Sequence, residues 1–319
     1  MDTEGPPGGF YSAGVERSGP RSRWRGQDLG LAVVMLAPSA LILGLFIVYP
    51  LGRAVWLGQQ RCDAFGGSCV SNGFDQYLDL FVSAEFQNAL LVTFQFALIS
   101  VPLGLVLGVG LAALADKYVG GLGVFRTIFS STIATSVAVA SLMWLFLLQP
   151  SVGALANVGW FNSIFPSVKD PGWLRDPGTA LVSVAMSSVW AGLGFTFILV
   201  TASLQSVPAE LHEAAAVDGA SGTVRFWKIT VPMLKPTLLF VSIVLTTRAF
   251  QTFGEVDLLT NGGPRPGDST TTLTYFVYGE ASVISSDAGL QATGAVLLFV
   301  ILLALSAVQL RGISRRNEA

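Results

Sequence analysis

Long stretches without any charged residue are the feature that most constrains how this chain can fold. Five of them lie between Asp28 and Arg53, Glu85 and Asp116, Arg126 and Lys169, Asp176 and Glu210, and Asp287 and Arg311. A helix needs about 20 apolar residues to cross the roughly 30 Å hydrocarbon core of a bilayer, so each stretch can hold one membrane-spanning helix. A shorter sixth stretch begins at Thr237 and carries Arg248 inside its apolar run.

Composition supports the same interpretation, because 52% of the residues are hydrophobic and 12% are charged, whereas a soluble domain has roughly 25% charged residues. The apolar run that starts at Leu29 is longer than the ~7–15 apolar residues of a signal peptide, so we expect a retained first helix. The sequence therefore predicts an all-α membrane protein: a disordered tail at 1–28, a six-helix transmembrane domain at 29–311, and a C-terminal tail at 312–319. The predicted spans are 30–51, 88–114, 125–148, 179–205, 237–257 and 288–310.

The Lys and Arg residues indicate the orientation of these spans, since cytoplasmic loops carry the excess of basic residues. Of the 18 Lys and Arg residues, all but Arg248 fall in the loops and tails. The side that holds both termini carries twelve of them, and the other side carries Arg53, Arg61, Lys169, Arg175 and Arg265. We therefore expect a multi-pass protein of the cell membrane with both termini in the cytoplasm and the bilayer as a partner.

Several functions are excluded by what the chain contains. The net charge is -2, so nucleic acid is not an expected partner. A single His and two Cys do not make a four-ligand zinc site, and no G-x-x-x-x-G-K-[ST] loop for ATP is present. We expect no cofactor and no metal. Cys62 and Cys69 fall in an outer loop, where a disulfide and two unpaired thiols are both open.

Small and hydroxyl-bearing residues predict how the spans pack. Gly104 and Gly108 form a G-x-x-x-G pair, which lets helix backbones approach closely. The third predicted span contains a polar cluster, which suits either hydrogen bonds between helices or the lining of a pathway: Ser130, Ser131, Thr132, Thr135 and Ser136.

The loop between the fourth and fifth spans, residues 207–236, carries the strongest local signal. Pro208 suits the first turn of a helix, Glu210 and Glu213 favour its positive N-terminal end, and Gly219 is a typical C-terminal stop. We expect a short exposed helix at 208–218. A second short helix, with apolar Phe226, Trp227 and Ile229, should end before Pro232. An exposed Ala-rich helix between two spans is suited to docking into another protein, whereas the alternative, a solvated connector, would not need these three apolar residues together.

The spacing of this loop resembles the "EAA" loop of ABC importer permeases. The matching residues are Glu213-Ala214-Ala215, then Gly219 after three residues, then Ile229 and Val231-Pro232, where Val231 departs from the usual Leu. The sugar-type subgroup, which includes maltose and glycerol-3-phosphate permeases, is similar in its six spans and in Asp218-Gly219-Ala220, Leu259-Thr260-Asn261-Gly262-Gly263-Pro264 and Thr271-Thr272-Leu273-Thr274-Tyr275. The resemblance covers about 30–310.

This resemblance implies a function and a set of partners. In the family the EAA loop is the coupling helix that sits in a groove of the ATPase subunit, which implies that Glu213 contacts the ATPase and that Gly219 allows the sharp turn. The implied partners are a second permease subunit in a heterodimer, two ATPase subunits that bind ATP-Mg, and an extracytoplasmic solute-binding protein. The residues carried over to ATPase coupling are Glu213, Ala214, Ala215, Asp218, Gly219, Ile229 and Pro232.

The fifth span supplies the candidates for the solute path. If it begins at Pro236, Arg248 lies about 18 Å along the axis, near the middle of the membrane, where a charge is costly and marks a functional site. Gln251 and Glu255 follow at i+3 and i+7, on one face of the predicted helix. Alternatively, Arg248 pairs with Glu255 or with another helix for assembly. Phe250 and Phe253 are suited to stack on a sugar, and Trp144 and Trp190 either line the path or pack normally.

The function predicted from these residues is a non-catalytic permease subunit that moves a carbohydrate or a glycerophosphate-type solute, driven by a partner ATPase. An ion-coupled secondary transporter and a membrane anchor are the alternatives. The first often uses buried acids along its path, which the spans lack at depth, and the EAA-like loop argues against the second.

Overall fold

The computed structural model describes residues 26–62, 69–116, 122–155, 158, 172–263, 268–280 and 282–317. The tail predicted at 1–28 lies, up to residue 25, outside this part. The described chain is mostly helical, with one short hairpin. Its elements are α1 Gly26–Leu43, α2 Tyr49–Leu57, β1 Gln60–Cys62, β2 Cys69–Ser71, α3 Asp75–Val82, α4 Ala84–Ala115, α5 Leu122–Ser131, α6 Val137–Leu148, α7 Ala180–Gln205, α8 Ala209–Val217, α9 Gly222–Arg225, α10 Val231–Phe250, α11 Gly254–Thr260, α12 Leu273–Tyr278 and α13 Ala288–Asn317.

Within the described part of the chain, five helical segments are long and apolar enough to cross a membrane. They are Gly30–Leu57, Ala84–Ala115, Ala180–Gln205, Gly222–Phe250 and Ala288–Arg311. A sixth arises if Gly123–Ala134 and Val137–Leu148 count as one span bent by 108°. The all-α membrane fold predicted from the charge-free stretches is confirmed, and α13 continues beyond the predicted last span to Asn317.

The third predicted span is not one straight helix. α5 ends at Ser131, a 3-10 turn occupies Thr132–Ala134, and α6 begins at Val137. The hydroxyl of Thr132 donates to the Phe129 carbonyl at 3.0 Å, and the hydroxyl of Ser136 accepts from the Val139 N–H at 3.3 Å. The polar cluster of this span therefore satisfies its own backbone at a break.

The fifth predicted span differs from the expectation at both ends. The helix does not stop before Pro232, because α9 runs through a π-helical turn at Phe226–Thr230 directly into α10. In this wider turn the Val231 N–H donates to the Phe226 carbonyl. Pro232 lies in the first turn of α10, where its missing N–H is tolerated. At the other end α10 stops at Phe250, and α11 is a separate helix.

Close helix packing holds the bundle at α4, as the G-x-x-x-G pair predicts. Gly108 lies directly against Thr196 of α7, and an added Cβ at Gly104 would meet the side chain of Leu245 of α10 at 3.4 Å. Both glycines are buried. The main core lies between α4, α7, α10, α11 and α12, with Phe96, Val184 and Tyr275 among its buried side chains.

The hairpin caps one end of the bundle. Cys62 and Cys69 pair opposite each other in β1 and β2 and form a disulfide, which settles the alternative left open by the sequence. The Asp287 carboxylate accepts from the Cys62 N–H at 3.3 Å and from the Gly289 N–H, at the start of α13, at 2.8 Å. The hairpin is thereby tied to the beginning of the last span.

Candidate functional site

The loop between α7 and α10 folds as the sequence predicts at its first helix. α8 begins after Pro208 and ends at Val217, with Gly219 in the left-handed region at φ 78°. The Ala220 N–H donates to the Ala215 carbonyl at 2.9 Å, and the Gly219 N–H donates to the Ala216 carbonyl at 3.1 Å. This pair of bonds is the Schellman arrangement, in which the left-handed residue is most often glycine, so Gly219 is required for the turn.

The surface of this loop combines apolar and acidic side chains. Val217 is 89% exposed and Trp227 is 64% exposed, and Glu210 and Glu213 are also exposed. Exposed apolar side chains rimmed by polar ones mark an interaction surface. The Arg225 guanidinium donates to the His212 carbonyl at 3.1 Å, which braces α8 against α9 and holds the surface in one shape.

The remaining predicted coupling residues surround this surface. Ala214, Asp218 and Pro232 are exposed, while Ala215 and Ile229 are half-buried. Ile229 belongs to the π-helical turn that joins α9 to α10, so the helix is continuous from Gly222 to Phe250.

A second candidate site lies at the junction of α10 and α11. Arg248 and Gln251 are exposed there, whereas Glu255 is 7% exposed at the start of α11. The polar and charged neighbours of Glu255 are Ser188 of α7 and Arg248 of α10. Its position in the first turn of α11 also suits a negative charge. The structure thus places Arg248 close enough to Glu255 to act on it electrostatically.

Two expectations about this junction need correction, and the role predicted for Phe253 stays a prediction. Arg248, Gln251 and Glu255 do not share one helix face, because α10 ends at Phe250 and Gln251 lies beyond it. Phe250 is 1% exposed and packs edge-on against Phe94, with ring centroids 5.1 Å apart. Phe253 is half-buried and stacks on Tyr275 at 5.9 Å. In this conformation both rings are engaged in packing within the chain.

The two tryptophans predicted along the path are both half-buried. Trp144 of α6 packs against the cluster of Leu148 and Trp173, which is ordinary packing. Trp190 lies on α7, two residues after Ser188, the neighbour of Glu255.

Two cavities lie beside α10 or α11. A narrow cleft between α4, α7 and α10 is lined by Arg248 together with Ser100, Gly104, Ser188 and Gly192. A larger cavity of about 460 Å³ lies where α6 and α11 end, and its polar lining includes Gln149, Arg175, Asp257 and Asn261. Among the described residues, no group of three or more His, Cys, Asp and Glu side chains is placed to hold a metal ion.

Some residues of the site escaped the sequence analysis. Ser188 gave no local signal, because serine is common in packed membrane helices. Thr272 and Thr274 belong to the segment used for the family resemblance, but only the fold shows that their hydroxyls reach the α10–α11 junction, where they donate to the Thr252 and Phe250 carbonyls.

Residues 100–317 match the family described as "Binding-protein-dependent transport system inner membrane component". The chain belongs to this family. The permease is 34% identical over 287 residues to the sn-glycerol-3-phosphate transport system permease protein UgpA of Agrobacterium fabrum (strain C58 / ATCC 33970), across 90% of this chain and 95% of that protein. It is also 34% identical to UgpA of Escherichia coli O6:K15:H31, across 91% of this chain and 94% of that protein.

Solved structures share the fold of the permease. One is a bacterial ABC transporter involved in the import of the acidic polysaccharide alginate, with a TM-score of 0.71 at 21% identity over 91% of this chain and 96% of that chain. Another is a bacterial alginate ABC transporter in complex with an alginate pentasaccharide-bound periplasmic protein. Its TM-score is 0.72 at 20% identity, over 92% of this chain and 97% of that chain.

Membership of the family fixes the general role of the permease. It is the membrane-spanning subunit of an ABC importer of the carbohydrate type, and ATP hydrolysis belongs to a partner ATPase. The predictions of a non-catalytic transport subunit and of the importer class are confirmed. The ion-coupled transporter and the membrane anchor are set aside.

Proposed function

We propose that this permease imports a glycerophosphate-type solute across the cell membrane, with both termini and the 207–236 loop in the cytoplasm. Its partners are a second permease subunit, two ATPase subunits that bind ATP-Mg, and an extracytoplasmic solute-binding protein. The observation that carries the proposal is the exposed helix α8, which is fixed by Gly219 between two long apolar helices and bears Val217, 89% exposed.

Coupling follows from how this loop is built. A docking helix transmits motion only when it is rigid, and α8 has both a Schellman cap and the brace from Arg225 to the His212 carbonyl. The π-helical turn then continues into α10, which ends beside Arg248. Closure of the ATPase subunits on α8 would therefore be transmitted to the α10–α11 junction, which carries Arg248 at the end of α10 and Glu255 at the start of α11.

Carboxylates introduced at two exposed valines test the docking. Val217→Glu should abolish co-purification of the ATPase subunits and solute-stimulated ATP hydrolysis, because it places a charge in the centre of the apolar surface. Val283→Glu is the matched control: that valine is 67% exposed on a segment outside the coupling loop and should leave ATPase binding unchanged. Normal ATPase stimulation in the Val217→Glu complex would refute the docking role.

The choice of a glycerophosphate solute rests on the cation at the junction and on the relatives. Arg248 is the one charged residue among the lining of the cleft between α4, α7 and α10, and a guanidinium binds a phosphate with two parallel hydrogen bonds. The relatives at 34% identity are named as sn-glycerol-3-phosphate permeases. A neutral carbohydrate is the alternative, supported by hydroxyl and amide groups beside Arg248.

Conservative replacement of Arg248 tests whether the solute carries a phosphate or is a neutral carbohydrate. Arg248→Lys keeps the charge but loses the planar fork, so it should reduce uptake of sn-glycerol-3-phosphate by about tenfold or more while assembly is retained. If the residue serves only assembly with Glu255, Arg248→Gln combined with Glu255→Gln should restore both yield and uptake. Wild-type uptake in Arg248→Ala, at normal expression, would remove Arg248 from the path and with it the reason for preferring a phosphate.

A further inference from the structure

The junction of α10 and α11 interrupts the hydrogen bonds of a span deep inside the protein. Phe250 and Thr252, whose carbonyls face this interruption, are 1% and 5% exposed. Buried carbonyls without partners are costly, and in a membrane interior an irregular backbone persists only where other groups satisfy it. Something other than the helix itself must therefore hold the junction.

Two threonines at the start of the short helix α12 donate hydrogen bonds to these two carbonyls. The Thr272 hydroxyl donates to the Thr252 carbonyl at 2.9 Å, and the Thr274 hydroxyl donates to the Phe250 carbonyl at 2.7 Å. Both threonines are buried, at 0% and 8% exposure. Thr272 is also the N-cap of α12, since its hydroxyl accepts from the Tyr275 N–H at 3.4 Å.

The beginning of α12 is itself anchored to a different helix. The Leu273 N–H donates to the Thr93 hydroxyl of α4 at 2.8 Å, and that hydroxyl donates to the Ala89 carbonyl at 2.7 Å. Thr93 is fully buried. The two carbonyls at the junction are therefore linked through α12 to the helix that packs on both α7 and α10.

We propose that Thr272 and Thr274 are positioning residues for transport, which set the angle between α10 and α11 and thereby fix the position of Arg248 relative to Glu255. Together with Thr93 they form a clamp, the threonine clamp, that acts on the solute through Arg248. This inference rests on the proposed function, in which Arg248 contacts the solute. A role in folding alone would not link the effect of a threonine to that of Arg248.

The test uses the complete importer in proteoliposomes, with its loaded solute-binding protein and sn-glycerol-3-phosphate as the probe. Thr272→Val and Thr274→Val keep the size of the side chain and remove the donor, so solute transported per ATP hydrolysed should fall about tenfold, equivalent to about 1.4 kcal/mol. ATPase stimulation should stay within about twofold of wild type, because the coupling loop is untouched. Thr272→Ser and Thr274→Ser retain the hydroxyl and should restore the ratio.

A double-mutant cycle tests whether the clamp acts through Arg248. In an Arg248→Lys background, Thr272→Val should have little further effect, since coupled residues are not additive. Additive losses, or a wild-type ratio in both valine variants, would overturn the inference. If a valine variant lowers protein yield, the matching serine variant must recover both the yield and the solute transported per ATP hydrolysed. Recovery of the yield alone also overturns the inference.

A probe that needs no solute separates the clamp from the proposed function. Gln251→Cys places an exposed thiol at the junction, and Ser221→Cys, in the coupling loop, is the matched control. Thr272→Val should change the rate at which a thiol reagent labels the cysteine at position 251 by at least threefold. The rate of labelling at position 221 should stay unchanged. If the wild type does not import sn-glycerol-3-phosphate, the solute assignment fails, and the labelling rates alone decide the clamp: an unchanged rate at 251 refutes it.

Discussion

The third and fifth predicted spans are both broken, but their breaks are satisfied in different ways. At the third span, hydroxyls within the break bond to neighbouring backbone groups, as Ser136 does with the Val139 N–H. At the fifth span, the donors come from Thr272 and Thr274, which lie 20 and 24 residues from their acceptors. One break is thus a local feature of the chain, and the other is created by the tertiary structure.

This difference matters because the two breaks lie against each other. An added Cβ at Gly254, the first residue of α11, would meet Val137, the first residue of α6, at 3.2 Å, and α6 packs along α11. The second halves of both interrupted spans therefore form one pair. The pair is held locally at its α6 end and by the threonine clamp at its α11 end, where Glu255 lies in the first turn of α11.

The largest effect on stability is expected where the third-span break touches α7. An added Cβ at Gly194 would lie 2.5 Å from the Thr132 hydroxyl and 2.7 Å from the Ile133 nitrogen. Gly194→Leu should therefore destabilise the protein by about 3 kcal/mol through overpacking. Free energies of unfolding in mixed micelles measure this.

The control for that substitution is Gly110→Leu in α4, where no atom lies within 4 Å of the added Cβ. Since leucine favours a helix over glycine by up to about 1 kcal/mol, this variant should be neutral or slightly more stable. Equal losses at the two glycines would mean that the contact with Thr132 does not fix the third-span break.

The same contrast explains which parts of the structure the sequence predicts. Four of the five long helical segments largely coincide with charge-free stretches, because a helix that crosses a membrane must be apolar over most of its length. The end of α8 was predicted at Gly219, because the left-handed turn is a property of that residue alone. The disulfide of Cys62 and Cys69 stayed open, since two cysteines in an outer loop do not reveal whether their strands pair.

Both breaks were missed for a physical reason. Hydropathy measures the transfer of side chains, and a span that bends at Thr132–Ala134 has the same transfer free energy as a straight one. The polar cluster from Ser130 to Ser136 did mark the site of the third break, where the hydroxyls of Ser131, Thr132 and Ser136 bond to the backbone nearby. The sequence around Gln251 does not mark the fifth break, because the hydroxyls that satisfy its carbonyls belong to Thr272 and Thr274, more than 20 residues further along. The burial of Phe250 also depends on contacts made in the folded protein and not on its sequence neighbours.

A smaller effect is expected at the remote anchor of the threonine clamp. Thr93→Val leaves the buried Leu273 N–H without its acceptor, and an unsatisfied buried donor costs about 1–3 kcal/mol. We expect a loss near 2 kcal/mol in the free energy of unfolding, with most of it recovered by Thr93→Ser.

Thr127→Val provides the matched control for the anchor. Its hydroxyl also bonds to a carbonyl, that of Gly123 at 3.0 Å, but on an exposed surface, where water or lipid headgroups can replace it. This variant should change stability by less than about 0.5 kcal/mol. A similar loss in both variants would show that burial of the anchor is unimportant.

The smallest effect is expected at the locally satisfied break, and it decides whether the two breaks differ in kind. Ser136 is an N-cap whose hydroxyl accepts from the Val139 N–H, and replacing such a serine by alanine costs about 1 kcal/mol, whereas glycine costs only a few tenths. Ser136→Ala should therefore be less stable than Ser136→Gly, with transport per ATP hydrolysed unchanged in both. Because α6 packs on α11, a strong loss of transport in Ser136→Ala at preserved ATPase stimulation would contradict this separation. It would show that the third break also sets the geometry at Arg248, and that the clamp works only when both ends of the α6–α11 pair are fixed.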